Sequence, residues 1–129
     1  MLDPQPTTER SWPQKFRDAF RGLKAGVRGQ SSFFFHFFMT AGVIVAAWVL
    51  RVDLIEWCIL LTCIAMVLTA EMFNSALESM AKAITGENDP HLRNSLDIAS
   101  GAVLVASIGA AIVGSIIFIN RLGIMLQWW

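Results

Sequence analysis

The chain has 129 residues, of which 55% are hydrophobic and 16% charged, and ten basic residues balance ten acidic ones to a net charge of zero. A soluble domain of this length needs a more polar surface to cover its core. The composition therefore argues against a soluble enzyme, a disordered regulator or a generally basic nucleic-acid binder, and it leaves room for one small domain.

Residues 1–10 are polar, contain Pro4 and Pro6, and are expected to be disordered. They lack the basic stretch, short apolar core and small-residue cleavage site of a secretory leader. Residues 11–29 predict an amphipathic surface helix. Ser11 and Gln14 have capping-box spacing, and Pro13 falls in the first turn, where its missing N–H does no harm. Trp12, Phe16, Phe20, Leu23 and Val27 then recur at helical spacing, and Lys15, Arg17, Arg21, Lys24 and Arg28 occupy much of the remaining surface. Such a helix lies in a membrane interface, apolar face toward lipid and cationic face toward head groups.

Three apolar stretches follow, at 31–50, 54–84 and 94–120, each reaching the ~20 residues that cross a bilayer as a helix. The second begins apolar and continues as an amphipathic pattern toward Ile84. Only Arg51 to Asp53 separate the first two, so these form a tight hairpin. Eight of the ten basic residues fall on the side of the N-terminus and of the connection between the second and third spans. The positive-inside rule makes that side cytoplasmic, with the C-terminus outside and Trp48, Trp57, Trp128 and Trp129 as anchors at the outer interface. Cys58 and Cys63 sit in an apolar run without partners at metal-ligand spacing and read as packing residues. In the third span Ala102, Ala106, Ala110 and Gly114 repeat every four residues, a ladder that favours helix association and hence an oligomer.

The chemistry is expected where polar groups enter the membrane against their cost. Glu71, Asn74 and Glu78 have spacings of three and four, so they share one stripe of the second helix. Glu71 lies about 27 Å along the helix from Asp53, near the cytoplasmic edge of the hydrocarbon layer. Intramembrane acids are functional candidates. They can hold a divalent cation through oxygen ligands, or one can take a proton from a hydroxyl. A polar seam between helices is the structural alternative, although Ser, Asn or Gln would make one at lower cost. The connection Thr85 to His91 reads as a polar loop, with Gly86 able to end the helix and Asn88 to Pro90 making a turn. Asp97 opens the third helix, where an acid favours the dipole. No Walker loop or protein-kinase signature is present.

The run Ala70-Glu71-Met72-Phe73-Asn74-Ser75-Ala76-Leu77-Glu78 resembles the signature of the small bacterial membrane kinases of diacylglycerol and undecaprenol. Ala19 to Leu23 resembles that family's surface helix, and Asp97 to Leu104 its third-helix start. His36 matches a His of the undecaprenol branch. The similarity covers about residues 15–120. It implies an all-α homotrimeric membrane bundle that transfers the γ-phosphoryl group of ATP, with Mg²⁺, to a lipid hydroxyl at the cytoplasmic face of the bacterial inner membrane. By this resemblance Glu71 is the general base, Asn74 positions the phosphoryl group or metal, and Glu78 and Gln30 hold Mg²⁺. Glu78, Glu87, Asn88, Asp89 and Asp97 contact the nucleotide, and Glu71, Ser100, Gln30 and His36 line the lipid substrate. The sequence departs from the family pattern at three places. Gln30 stands where a Glu is usual, Leu96 where a Lys is usual, and Lys82 where an Asp is usual. Those departures frame the alternative, a non-catalytic lipid-binding or scaffolding relative with a degraded nucleotide site. An ion-conducting bundle, drawn from the buried acids alone, fits poorly with acids at one interface, since transport sites lie near the midplane.

Overall fold

Polypeptide that must satisfy its backbone without water folds as helix, and the chain does so almost throughout. The computed structural model describes residues 9–28, 31–84 and 89–129. Four helices account for nearly all of them: α1 (Trp12–Arg28), α2 (Ser31–Val49), α3 (Leu54–Ile84) and α4 (Pro90–Met125). α2, α3 and α4 are long and apolar enough to cross a membrane, as expected for a multi-pass membrane protein. At ~1.5 Å per residue α2 matches a ~30 Å hydrocarbon layer, whereas α3 and α4 are about 46 and 54 Å long. The α2–α3 turn fixes one end, so the excess length of α3 and α4 projects beyond the layer at the other.

The α2–α3 turn is built from backbone geometry. The Val52 N–H donates to the Ala47 carbonyl and that of Arg51 to the Trp48 carbonyl, the paired bonds of a Schellman motif. Arg51 takes the left-handed conformation at φ 54°. Asp53 then caps α3 in a capping box: the Glu56 N–H donates to Asp53 Oδ1 at 2.8 Å, and the Asp53 N–H to Glu56 Oε2 at 2.9 Å. α4 ends the same way. Trp128 N–H donates to the Gly123 carbonyl and Gln127 N–H to that of Ile124, with Gln127 at φ 59°. The folded-back Trp129 indole packs over Gly123, where a Cβ would displace it. The Trp48 and Trp57 rings meet edge to face at 6.4 Å, and Trp128 and Trp129 lie 6.2 Å apart.

The core lies at this same end. Ala47, Val52, Leu60 and Ile117 are buried together, with Val43, Trp57, Val113 and Phe118 packed around them. α3 packs chiefly on α4, and α2 touches both more lightly. α1 reaches α3 near its own C-terminal end, where Gly26 faces the Met72 thioether. The accessible area is 10322 Å², against about 6,800 Å² for a compact soluble protein of this mass. Phe34, Phe38, Ile55, Ile98 and Val105 are among the apolar side chains left exposed on the three long helices. A surface of that kind is covered by lipid or protein in the native setting.

Two readings of the sequence need correction. The last helix starts at Pro90 and ends at Met125, where residues 94–120 were expected. Pro90 pre-sets the helical φ at N1, and Asp89 accepts from the His91 and Leu92 N–H groups, so helix begins where a turn was expected. Asp97 is therefore two turns inside α4 and does not open it. Arg121 lies within the helix, where the sequence had placed it just after the last span.

Candidate functional site

The site lies at the end of the bundle opposite the core, where the start of α2 meets the middle of α3. Glu71 leaves only 3% of its surface exposed. Its carboxylate is held by two groups of α2, one turn apart. The Ser32 hydroxyl donates to Oε1, and His36 Nε2 lies 3.4 Å from Oε2. Because α2 begins at Ser31, these contacts put Glu71 level with the N-terminal end of that helix.

One turn further along α3, Asn74 is 8% exposed and faces two ways. Its Nδ2 donates to Glu78 Oε1 at 3.0 Å, and its Oδ1 accepts from the Ser100 hydroxyl of α4 at 3.5 Å. The amide thus joins the second carboxylate of the stripe to α4. The Met72–Gly26 contact brings α1 to the same level. All four helices therefore converge around a line of two carboxylates and one amide.

The polar outer end is more open. Asp89, Arg93, Asn94 and Asp97 surround a cavity of about 220 Å³ with Pro90. Asp89, the N-cap of α4, and Arg93 and Asp97 within it follow at intervals of four and line this cavity together. Asp89 spends one oxygen on capping α4. Lys82 is exposed on the last turn of α3. In the N-terminal half of α1 the Asp18 carboxylate accepts from both Arg10, at 2.8 Å, and Arg21. The Arg10 hydrogen bond, aided by Arg21, holds the Asp18 carboxyl below the usual carboxylate range.

Of the residues expected at the site, Glu71, Asn74, Glu78, Ser100 and His36 are brought together. Asp89 and Asp97 form a separate cluster toward the α3–α4 connection. Gln30, Glu87 and Asn88 lie outside the described residues. Sequence reasoning missed three participants. Ser32 was hidden in an apolar run, four residues before the His that was singled out. Arg93 had been counted only for orientation, although its spacing from Asp89 and Asp97 was visible. Ser75 is 7% exposed, and its hydroxyl has no hydrogen-bond partner among the described residues. It follows Glu71 by four positions, the same helical spacing that picked out Asn74 and Glu78.

Known proteins resemble the chain along most of its length. The sequence profile of prokaryotic diacylglycerol kinase matches residues 17–118. The chain is 29% identical over 109 residues to an undecaprenol kinase of Bacillus subtilis, covering 84% of this chain and 89% of that one. It is 34% identical over 108 residues to a diacylglycerol kinase of Synechocystis, covering 83% of this chain and 62% of the longer relative.

Proposed function

The chain belongs to the prokaryotic diacylglycerol kinase family, and within that lipid-kinase family we propose that it transfers the γ-phosphoryl group of ATP, as its Mg²⁺ complex, to the hydroxyl of a membrane lipid alcohol, either undecaprenol or diacylglycerol. The observation that carries this reading is the buried Glu71 carboxylate at the edge of the apolar layer, which accepts from the Ser32 hydroxyl of α2 and lies 3.4 Å from the His36 imidazole. An acid at this depth meets a lipid whose head group lies at the interface and whose chain lies in the membrane.

In the proposed reaction Glu71 takes the proton of the lipid hydroxyl. The lipid oxygen forms a bond to the γ-phosphorus as the bond to the β-phosphate oxygen breaks, and ADP departs. Phosphoryl transfer asks for positioning and charge neutralisation more than covalent chemistry from the protein. Asn74, fixed between Glu78 and Ser100, holds the line of donors in place. Ser32 and His36 orient the Glu71 oxygens.

The donor set fits Mg²⁺. Among the described residues no three His, Cys, Asp or Glu surround one point, and Mg²⁺ in phosphoryl-transfer sites takes one or two carboxylates together with substrate phosphates. Glu78 would be the first such carboxylate, Asn74 would offer a carbonyl, and Gln30 would add an uncharged one. When bound, the ion neutralises phosphate charge. Asp89, Asp97, Glu87 and Asn88 would contact the nucleotide, and Arg93 supplies a cation where Leu96 cannot. α1 would float in the head-group layer with Trp12, Phe16 and Phe20 toward lipid, all three being exposed on the isolated chain. We place the N-terminus in the cytoplasm and the C-terminus outside the inner membrane, with the chains assembled as a homotrimer.

Transfer from labelled ATP tests the reading, using purified protein and Mg²⁺ in mixed micelles, with undecaprenol and diacylglycerol offered separately. The product should be labelled lipid. Glu71→Gln should lower turnover by about two to four powers of ten, the usual share of a general base, with helicity and assembly kept. Absence of product with either lipid, together with retained MgATP binding, would point to another alcohol. Absence of both would favour the non-catalytic relative.

A further inference from the structure

A base that takes a proton in every turnover must also lose one, and the surroundings of Glu71 give that proton few exits. Its side chain is 4% exposed. The Ser32 hydroxyl donates to Oε1, and a hydroxyl is too weak a base to keep a proton taken from a carboxyl group. The remaining oxygen is Oε2, and His36 Nε2 stands 3.4 Å from it. Imidazole both accepts and releases protons near neutral pH. The His36 side chain is also the more open of the two, at 14% exposed.

The other groups around His36 offer no rival exit. Phe35 meets the ring edge to face at 5.8 Å. Beyond it His36 borders a groove between α2, α3 and α4, to which α3 lends Cys63, while α4 lends Ser107 and Ser115 but no charged residue. Glu78 lies two turns beyond Glu71 along α3 and is bonded to Asn74. Arg28 ends α1 as an exposed residue. Among the described residues, Glu71 is the charged group within ion-pair distance of His36. A residue that merely braced a carboxylate would need only an N–H or O–H donor. An imidazole can also take the proton.

Resting on the kinase reading above, we propose that His36 relays the proton from Glu71 to water and so resets the base between turnovers. In the transfer step the lipid O–H bond breaks and an O–H bond forms at Glu71 Oε2, as the lipid oxygen bonds to the γ-phosphorus and ADP departs. In the reset step that O–H bond breaks and an N–H bond forms at His36 Nε2, leaving a carboxylate beside an imidazolium. The imidazolium then gives one proton to water, and the neutral ring returns with Nε2 unprotonated. For the reset the ring closes from 3.4 Å to the ~2.9 Å of an ordinary hydrogen bond. His36 is thus a positioning residue for a proton and acts through Glu71.

The test separates the first turnover from later ones. Purified protein in mixed micelles, with undecaprenol or diacylglycerol, is mixed with labelled MgATP and quenched at successive times. His36→Gln keeps an N–H donor but cannot carry a proton. Its Glu71 starts ionised, so the first labelled lipid per site should form at close to the wild-type rate. The ratio of later to first turnover should then fall by about 10- to 100-fold relative to wild type, less than the loss expected for Glu71→Gln. Wild-type turnover should also decline as the pH drops through the range in which imidazole titrates, because a protonated His36 accepts nothing. His36→Gln should lack that decline. Imidazole added to His36→Ala should restore repeated turnover in proportion to its neutral fraction.

A His36→Gln chain that matches wild type throughout, or that slows equally in the first and later turnovers, would make His36 a brace for Glu71 and overturn the relay, with the kinase reading left standing. If His36→Gln loses its assembly, the His36→Ala arm decides: no restoration by imidazole overturns the relay. Absence of labelled lipid from the wild-type chain with either alcohol would remove the kinase reading and the relay with it.

Discussion

The two ends of the bundle both carry buried or half-buried acids, and they treat them in opposite ways. At the α2–α3 turn, Arg121 of α4 donates through Nε to Glu56 at 2.6 Å and through Nη2 to Asp53 at 3.0 Å. Those carboxylates also accept the first N–H groups of α3 in its capping box. Charge meets charge there, beside the apolar core and the two Schellman endings. At the opposite end Glu71 is more deeply buried, yet its described partners are a neutral hydroxyl and an imidazole. Asn74 bridges by dipoles alone, and the Ser75 hydroxyl has no partner among the described residues. An acid locked by a guanidinium is committed to structure. One held by weaker donors can exchange them for a ligand or accept a proton.

Breaking the lock tests the first half of this comparison and should have the largest effect on stability. Arg121→Met removes two charge-assisted hydrogen bonds and leaves two acids near one another. The pair is partly exposed, so the loss is set below that of a fully buried pair, at about 1–3 kcal/mol. Unfolding of the protein in micelles by a denaturing detergent measures it. Adding Glu56→Gln to Arg121→Met should recover part of the loss, because one uncompensated charge disappears. Lipid phosphorylation per folded molecule should hardly change, since the lock stands about 27 Å from Glu71. A turnover defect as large as that of Glu71→Gln would erase the distinction between the two ends.

The second test loosens the other end. Ser32→Ala deletes the hydroxyl of α2 that donates to Glu71 while leaving the acid and the neighbouring His36. A single hydrogen bond to a charged group is worth about 1.5–3 kcal/mol, and the incoming hydroxyl replaces part of it. Turnover should fall by about tenfold, corresponding to about 1.4 kcal/mol, and less than for Glu71→Gln. The change should appear in kcat more than in KM if Ser32 aims the carboxylate and does not hold the lipid. Measuring both constants against lipid mole fraction decides between these roles. A rise in KM alone would make Ser32 a contact of the substrate.

Much of this architecture could be read from the residues. Three apolar runs with a three-residue gap gave the spans and the hairpin, and the spacing of three and four gave the Glu71–Asn74–Glu78 stripe. Helical periodicity reports which residues share a face, however, and not which neighbouring helix that face meets. Ser32 and His36 are separated from Glu71 by a whole hairpin, so their contact with it depends on packing angle. The start of α4 was misjudged because Asn88-Asp89-Pro90 is equally good as a turn and as a cap. The capping bonds of Asp89 decide it. The lock escaped notice because Arg121 lies 65 residues from Glu56 in sequence, and charge counting assigns it only a side of the membrane.

The smallest expected effect gives the finest test of the contrast. A buried hydroxyl with no partner costs about 1–3 kcal/mol relative to a satisfied one, so a purely structural residue at position 75 would be better as alanine. Ser75→Ala fills nearly the same volume and removes only the oxygen. If the hydroxyl serves no ligand, the substitution should leave stability unchanged or raise it by up to about 1 kcal/mol, and leave turnover alone. If instead the hydroxyl waits for a phosphate oxygen or the lipid head, the same variant should be stable but several-fold slower at saturating lipid. Detergent unfolding and steady-state transfer on one preparation separate these outcomes. The contrast between the ends predicts the second: a hydroxyl one turn from Glu71 that has no partner among the described residues is retained for what binds there. A Ser75→Ala variant that loses stability and keeps full turnover would show that this serine belongs with the lock and not with the site.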